Sequence, residues 1–535
     1  MSSEECRAAV KRDVEGDGDG LASLSVAKRM KPEAFRMHDS GLDVMHVTGM
    51  QSISRLKTSQ KALLAVIKIF VQTSTPNCSM PWQMKRQRAV VGSGFVISGR
   101  RILTNAHVVA YQKQMRVRKH GDAKKYTAHL ICIGHECDIA MLGVEDDKFW
   151  NSLEALEFGA VPQLEEDVVC VGFPTGGDNI SVTRGVVSRV DITRYSYSGI
   201  DLLAVQIDAA INSGNSGGPA LQGDSVIGIA FETLNNAENI GYIIPVPVID
   251  HFLNDFKSHH DYLGFCNLGI RFQNLESDIM REYLGLSTNQ TGVLVTRVLP
   301  MSQSVDVVRK GDVLMSIEDQ TIANNGTVYF RGSERIVFQF ALMQKYVSDS
   351  CSMKIMRNKE VLDIEVKLRT MPLLVPRLLK GKRPSYLVHG GLVFTALTQM
   401  YLSHQWGRDW EEKAPIWLCV YVTHGFIEKP GQQIVILSQV LSHELTTGYE
   451  GIAFLPLLQF NGKVVLNLLH LAKMLDQVAT DWQDPDGYMH FLLDRDREIV
   501  LPMRRSFAAA SDILTQYAIG EARSSDLPLP VTPQL

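Results

Sequence analysis

From Ala62 onward the chain breaks into short apolar runs rich in β-branched residues, separated by Gly, Asn and Asp, and this pattern holds to about Pro245. The runs VVGSGFVIS, RILTNA, YTAHLICIG, IAMLGV, DVVCVGF, ISVTRGVVSRV, LAVQID, SVIGIAF and IGYIIPV read as strands. Many short strands at this spacing predict a sandwich or a pair of barrels. After Pro245-Val246-Pro247 the period changes: VIDHFLNDFKSHHDY places Val248, Phe252, Leu253 and Phe256 on one helix face, as expected of a link between domains. A second unit reaches about Thr370. It mixes a strand at GVLVTRVLP, the turn Arg309-Lys310-Gly311-Asp312, a strand at VLMSIED, a helical stretch IVFQFALMQKY and a strand at DIEVKLR. A third unit starts near Pro384 with YLVHGGLVFTAL, continues through QIVILSQVL and FNGKVVLNLLHLAKML, and closes with MHFLLDRDREIVL; its element order loosely repeats that of the second. The polar, aperiodic start reads as a mobile tail, and the Pro-rich SSDLPLPVTPQL at the end as a loose one. The expected division is therefore a tail over 1–57, units over 58–256, 257–371 and 372–523, and a tail over 524–535.

At 535 residues the chain is too long for one core, which agrees with several units. Apolar residues make up 45% and charged residues 21%, enough apolar material for packed cores. With 54 basic against 58 acidic residues the net charge is −4, and no basic stripe offers a phosphate backbone its counter-charge. Nucleic acid is thus not an expected partner. The eight cysteines are scattered and lack a CxxC spacing, so no metal site is expected and a reducing, intracellular setting fits best. No apolar run approaches the ~20 residues that span a bilayer, so no membrane span is expected and the chain is read as soluble. The N-terminus has no signal-peptide core, and its Glu4, Glu5, Asp13, Glu15, Asp17 and Asp19 are unlike an acid-poor transit peptide. Lys11-Arg12 with Lys28-Arg29-Met30-Lys31 forms a loose bipartite nuclear signal, and nucleus or cytosol is the favoured compartment.

Three strings carry chemistry: TNAHVV at 104–109, CDIAML at 137–142 and INSGNSGGPA at 211–220. A serine hydroxyl attacks an amide only when a base takes its proton, and that base must be held in one tautomer by a third group. His107, Asp138 and Ser216 supply those roles. A lone His or Asp is more often structural, whereas the six specified positions of GNSGGP seldom coincide by accident. The order His, Asp, Ser is that of the chymotrypsin class, not of subtilisins or α/β-hydrolases. Gly214, Asn215 and Ser216 form the expected oxyanion-hole loop, with the Gly214 and Ser216 amides as its two principal donors, worth about 3 kcal/mol each to the transition state. Gly217 and Gly218 are expected to leave room for the substrate backbone.

TNAHVV, DIAML, GNSGGP and IGYIIP resemble the motifs of the Deg/HtrA serine proteases, and of the plant Deg group most of all. The resemblance extends from about residue 60 to 520. It implies a mainly β chain with α+β parts: a trypsin-like double β-barrel, a PDZ domain, and a second, divergent PDZ-like domain. It also implies an ATP-independent endopeptidase that degrades unfolded or damaged proteins in quality control, built from homotrimers contacting through their protease domains. Residues Ser59 to Leu64 and Pro76 to Trp82 lie where family members make that contact. No cofactor is implied. One departure is visible: Ser213 stands where many members carry proline, which leaves the approach to the oxyanion loop easier to deform. NIGYIIP at 239–245 is similar to the strand that walls the specificity pocket, and the family prefers small aliphatic side chains before the scissile bond. The plant group also offers mitochondrion or chloroplast as alternative compartments.

PDZ domains add a C-terminal peptide as a strand while backbone amides hold its carboxylate. Leu268-Gly269-Ile270 fits that loop, Tyr262-Leu263-Gly264-Phe265 is a rival, and a glycine that merely turns the chain is a third reading. His443-Glu444-Leu445-Thr446-Thr447 begins like a zinc motif, but Thr447 stands where the second ligand is required, and no phosphate-binding loop is found. The competing function is a PDZ scaffold or holding chaperone with a mostly inactive protease fold.

Overall fold

The computed structural model describes residues 59–233, 240–407, 409–481 and 486–529; the expected N-terminal tail, with its basic clusters, lies outside them. The first strands are β1 (Val66–Thr73), β2 (Arg88–Ile97), β3 (Arg101–Thr104), β4 (Gln112–Lys119), β5 (Tyr126–Thr127), β6 (His129–Gly134) and β7 (Ile139–Gly143), joined antiparallel in the order β5-β4-β1-β2-β3-β7-β6. A second set, β8 (Asp167–Gly172), β9 (Ser181–Arg194), β10 (Asp201–Ile207), β11 (Pro219–Gln222), β12 (Ser225–Thr233) and β13 (Gly241–Pro245), closes into a six-stranded barrel. The strands turn alternate aliphatic side chains inward, so the barrel fills with Val168, Cys170, Val205, Ile207, Ile227 and Ile243. β4 escaped the sequence reading because only Met115 and Val117 of its eight residues are buried.

The helix Val246–His259 starts on Pro245 and ends on the left-handed His260. Val248, Ile249 and Phe252 are its buried apolar contacts, while Leu253 and Phe256 are only partly covered, so the buried face is turned slightly from the one expected. Its buried Asp255 accepts from Leu263 N at 2.6 Å and holds the chain as it enters the middle unit. That unit is a sheet of Ile270–Asn274, Val293–Val298, Val313–Ile317, Ser350–Arg357 and Glu360–Lys367 in sequence order, with Gln320–Thr321 folded back on the third. The Arg309–Asp312 turn forms as expected, and buried Asp312 takes both Arg357 nitrogens at 2.8 and 2.6 Å. The expected helix IVFQFALMQKY is only half helix: Glu334–Val337 pairs with Thr327–Arg331 as a hairpin, and Phe340–Met343 alone is helical. Ile336 opposite Val328, both buried, satisfies the pairing better than a helix start would.

The C-terminal unit orders Tyr386–His389, Leu392–Ala396, Val435–Val440, Leu455–Phe460, Tyr488–Leu493 and Arg497–Pro502 along one sheet, with Lys463–Val464 folded back on Leu455–Phe460 and the helix Leu468–Asp481 on its core. His443 caps the short turn Glu444–Thr446, its ring accepting from Leu445 N at 3.2 Å. The stretch from Ser524 is not loose where it is described. Val388 N donates to Ala522 O at 2.7 Å, Ser524 N to Tyr386 O at 3.0 Å, and Ser385 Oγ to Asp526. Residues 530–535 lie outside the described ones. Arg523 anchors this closing segment by two bonds to Asp476, at 2.7 and 2.9 Å, with its side chain only 8% exposed.

Charge-assisted bonds of this kind contribute about 2 kcal/mol when nearly buried. Arg523→Ala should therefore lower the melting temperature of the C-terminal unit by several degrees and open Tyr386–His389 to hydrogen exchange. Unchanged exchange at Val388 would show that the anchor is not needed.

Candidate active site

β3 ends at Thr104, and Asn105 starts the one-turn helix Ala106–Val109 that carries His107. Asp138 sits in the turn between β6 and β7 with φ +55°, a left-handed conformation uncommon for a non-glycine residue. The turn is nailed to the helix start from both sides. Asn105 Nδ2 and Ala106 N donate to Asp138 O at 2.9 and 3.1 Å, and His107 N donates to Asp138 Oδ1 at 2.8 Å. The other carboxylate oxygen is 2.7 Å from His107 Nδ1. Asp138 is 1% exposed, so little water competes for that contact. A carboxylate here accepts the Nδ1 proton, which places the basic lone pair of the neutral ring on Nε2.

Ser216 comes from the other half of the fold, in the loop before β11, yet the same surface receives it. Ser93 N donates to Ser216 O at 2.9 Å, Ser93 Oγ donates to Gly214 O at 2.7 Å, and Thr104 Oγ1 donates to Ser93 O at 2.7 Å. Ser93 Oγ also accepts from Phe173 N at 2.8 Å. Ser93 and Thr104, not singled out in the sequence, thus bolt the Ser216 loop three residues from His107. The Ser216 hydroxyl itself lies 3.4 Å from Phe231 O.

The expected oxyanion loop narrows to two donors. Asn215 N already donates to Asn212 O at 2.9 Å, so its amide is spent. Thr175 N holds Ser213 O at 2.7 Å. Because the peptide unit is planar and trans, this aims the Gly214 N–H away from the 173–175 segment. Gly217 and Gly218 serve a different purpose from the one expected. A Cβ on Gly217, at φ +85°, would lie 2.2 Å from Ser93 O, and one on Gly218 would lie 2.1 Å from Val171 O. They make room for the protein's own strands, not for substrate.

Tyr197 and His135 form the wall beside His107. The Tyr197 ring centre is 6.0 Å from that of His107, and its hydroxyl is 2.8 Å from His135 Nδ1. Burial raises the Tyr197 phenol above its usual range, so it stays protonated beside His135. Burial, helped by Lys380, pushes His135 down to about 4 against the opposing pull of Asp138. Leu268 is buried, Gly269 turns at φ +65°, and Ile270 opens the strand Ile270–Asn274; the Gly269 amide is taken by Asn267 Oδ1 at 2.7 Å. In the rival segment the Leu263 amide is taken by Asp255 and the Phe265 amide by Glu136. Among the described residues no group of three or more His, Cys, Asp and Glu is placed to hold a metal ion, and no helix is long and apolar enough to cross a membrane.

The fold and the comparisons define a trypsin-like peptidase joined to a PDZ domain. The trypsin-like peptidase family matches residues 92–229 and the PDZ family residues 375–526, the latter on the unit read as divergent. Protease Do-like 2, chloroplastic, from Arabidopsis thaliana is 41% identical over 87% of this chain and 75% of its own length. Protease Do-like 4, mitochondrial, from the same plant is 38% identical over 87% and 86%. A serine protease DegP homolog from Plasmodium falciparum is 30% identical over 78% and 59%. The chain belongs to the Do-like, or Deg/HtrA, family of serine proteases. Among solved structures, the HtrA-type protease AlgW with a decapeptide is 22% identical, with a TM-score of 0.45 over 58% of this chain and 97% of that one.

His135 has a consequence for stability. Its folded value of about 4 lies below the ordinary 6.5, so its contribution is complete above pH 6.5 and is lost as pH falls toward 4. His389, also pushed to about 4 by burial, acts in the same window. The melting temperature of His135→Gln should fall less steeply than that of wild type between pH 6.5 and 4, without becoming flat. Parallel slopes would contradict the assignment.

Proposed function

We propose that this protease cleaves unfolded or damaged proteins without ATP, through an acyl-enzyme formed on Ser216. His107 Nε2 takes the Ser216 hydroxyl proton as Oγ bonds to the scissile carbonyl carbon. The carbonyl electrons move to oxygen, which the Gly214 and Ser216 amides receive. The C–N bond then breaks as His107 passes the proton to the leaving amine, and water repeats the sequence to release the acid. Asp138 holds the tautomer and balances the imidazolium. The reading is carried by the 2.7 Å His107–Asp138 contact, next to a Ser216 loop fastened through Ser93 to Thr104. Ile211, packed over Gly241, is in keeping with a primary pocket for small aliphatic side chains.

The middle unit is the proposed second PDZ domain and the peptide receptor. Its sheet runs in the same order as the unit that matches the PDZ family, down to a short strand folded back on the third strand of one and the fourth of the other. The units differ at one edge. The C-terminal unit covers Leu392–Ala396 with its own strand Tyr386–His389, whereas among the described residues no strand pairs with the outer edge of Ile270–Asn274. That edge would take a C-terminal peptide as an added strand, with the carboxylate at Leu268-Gly269-Ile270. The names of the relatives favour mitochondrion or chloroplast over nucleus or cytosol.

Ser216→Ala should abolish casein cleavage and fluorophosphonate labelling while leaving the melting curve nearly unchanged. Residual cleavage within about tenfold of wild type would sink the nucleophile assignment, since losing a triad member costs several orders of magnitude. A wild-type chain that never labels, with or without peptide, would favour the scaffold reading.

Assembly is proposed as a homotrimer through protease domains, but not through Trp82. Its ring packs edge-on against Tyr386 of the same chain at 5.8 Å, which removes it from the surface expected for a partner. Light scattering on the full chain should give a trimer or a multiple of it, and Trp82→Ala should not alter the mass. Dissociation of that variant would restore Trp82 to the interface.

A further inference from the structure

The linker from the middle unit to the C-terminal unit touches three segments next to His107 and Asp138. Pro376 O accepts from Gln399 N at 2.9 Å, which ties the start of the linker to the C-terminal unit. The Arg377 guanidinium lies against Gly199, where a Cβ would fall 1.6 Å from Nη1. Lys380 Nζ reaches Glu136 Oε1 at 3.3 Å, and the backbone at Leu379 and Gly381 faces the Tyr111 hydroxyl. Gly199 belongs to the loop that carries Tyr197, Glu136 to the turn that carries Asp138, and Tyr111 follows the helix that carries His107.

Asp138 has reason to need such support. A left-handed non-glycine residue is strained and persists only where its surroundings over-determine it. Glu136, two residues earlier, uses both oxygens for this: Oε2 accepts from Phe265 N at 3.2 Å and Oε1 pairs with Lys380. One carboxylate thus fastens the Asp138 turn to both downstream units. Arg377, braced on Gly199, fixes the loop whose Tyr197 walls the His107 ring.

We propose that the 376–382 strap positions the His107–Asp138 pair, with Arg377 and Lys380 as positioning residues, so that docking of the C-terminal unit on the protease domain sets the turnover rate. The proposal rests on the triad reading above. The strap acts on the base and its orienting carboxylate, groups whose alignment matters most in the transition state. Its loss should therefore fall on kcat and leave KM nearly unchanged.

The test uses the full-length chain with a short peptide substrate, fluorophosphonate labelling rates and melting curves for Lys380→Glu, Arg377→Ala and the conservative Lys380→Arg. Lys380→Glu and Arg377→Ala should each lower kcat by about tenfold to a hundredfold, with KM within about twofold, and should slow labelling. Because Lys380 is largely exposed, the melting temperature of Lys380→Glu should move by no more than ~2 °C. Lys380→Arg, which keeps a cation in reach of Glu136 and leaves the Phe265 contact intact, should hold kcat near wild type, a rescue that a merely structural contact would not give. Wild-type kcat in both Lys380→Glu and Arg377→Ala, a Lys380→Arg kcat as low as that of Lys380→Glu, or a loss that simply follows melting would each overturn the proposal. Ser216→Ala, run alongside, keeps the two readings apart: labelling of that variant removes the triad assignment, whereas a silent Ser216→Ala with full turnover in the strap variants removes only the strap.

Discussion

The contact across Ser93 is the constraint on which the rest of the site depends. His107 and Asp138 belong to the seven-stranded sheet, and Ser216 belongs to the closed barrel; neither half alone contains the constellation. Ser93, fully buried on β2, binds the Ser216 loop by its amide and hydroxyl while its carbonyl is held by Thr104 at the end of β3. Three hydrogen bonds of modest net worth, about 1 kcal/mol each, would not hold two domains together. Their effect is positional, because the surrounding apolar core already supplies the adhesion. That core runs without a break from β1 through both halves of the protease domain and into the middle unit.

The glycines after Ser216 follow from the same closeness. With Ser93 O and Val171 O within 2.2 Å of where side chains would begin, any larger residue at Gly217 or Gly218 would push the loop off the strand that locates it. A motif that reads as a catalytic signature is therefore in large part a packing requirement. The chemistry follows from it, since a loop that lies this flat against β2 and β8 leaves few directions for the Gly214 amide to point.

The strings TNAHVV, DIAML and GNSGGP could be read from the sequence because each compresses a role into a few adjacent residues. The same locality made the β-rich half and the Arg309–Asp312 turn legible. Features built from distant, ordinary residues were not. Nothing about Tyr197 or His135 as residue types marks them as neighbours of His107, and Arg377 meets Gly199 across 178 positions of chain. β4 was missed because its polar face dominates the string, and the helix expected over IVFQFALMQKY loses its first two residues to the strand Glu334–Val337, where Ile336 and Phe338, two apart, follow a strand's period and not a helix's. Trp82 looked exposed by its place in a loop beside proline, yet its partner Tyr386 lies some three hundred residues on.

The C-terminal unit shows how a fold can keep a PDZ-like sheet and put it to other use. Its strand Tyr386–His389 fills the position where a peptide would add, and the chain's own Ala522–Ser524 pairs with that strand in turn. A sheet edge closed twice by its own chain is protected from edge-to-edge pairing with other chains. What remains free is the face toward the protease domain, and there the contacts are dense. Ser79 meets His404, Gln405 and Gln439, and Cys78 is buried with Leu374, Val375 and Tyr401. Burial of this kind, with Trp82 packed edge-on against Tyr386, makes the unit a fixed neighbour of the 74–87 loop. A unit held so firmly can transmit force through the short linker at its entrance, whereas a mobile one could not.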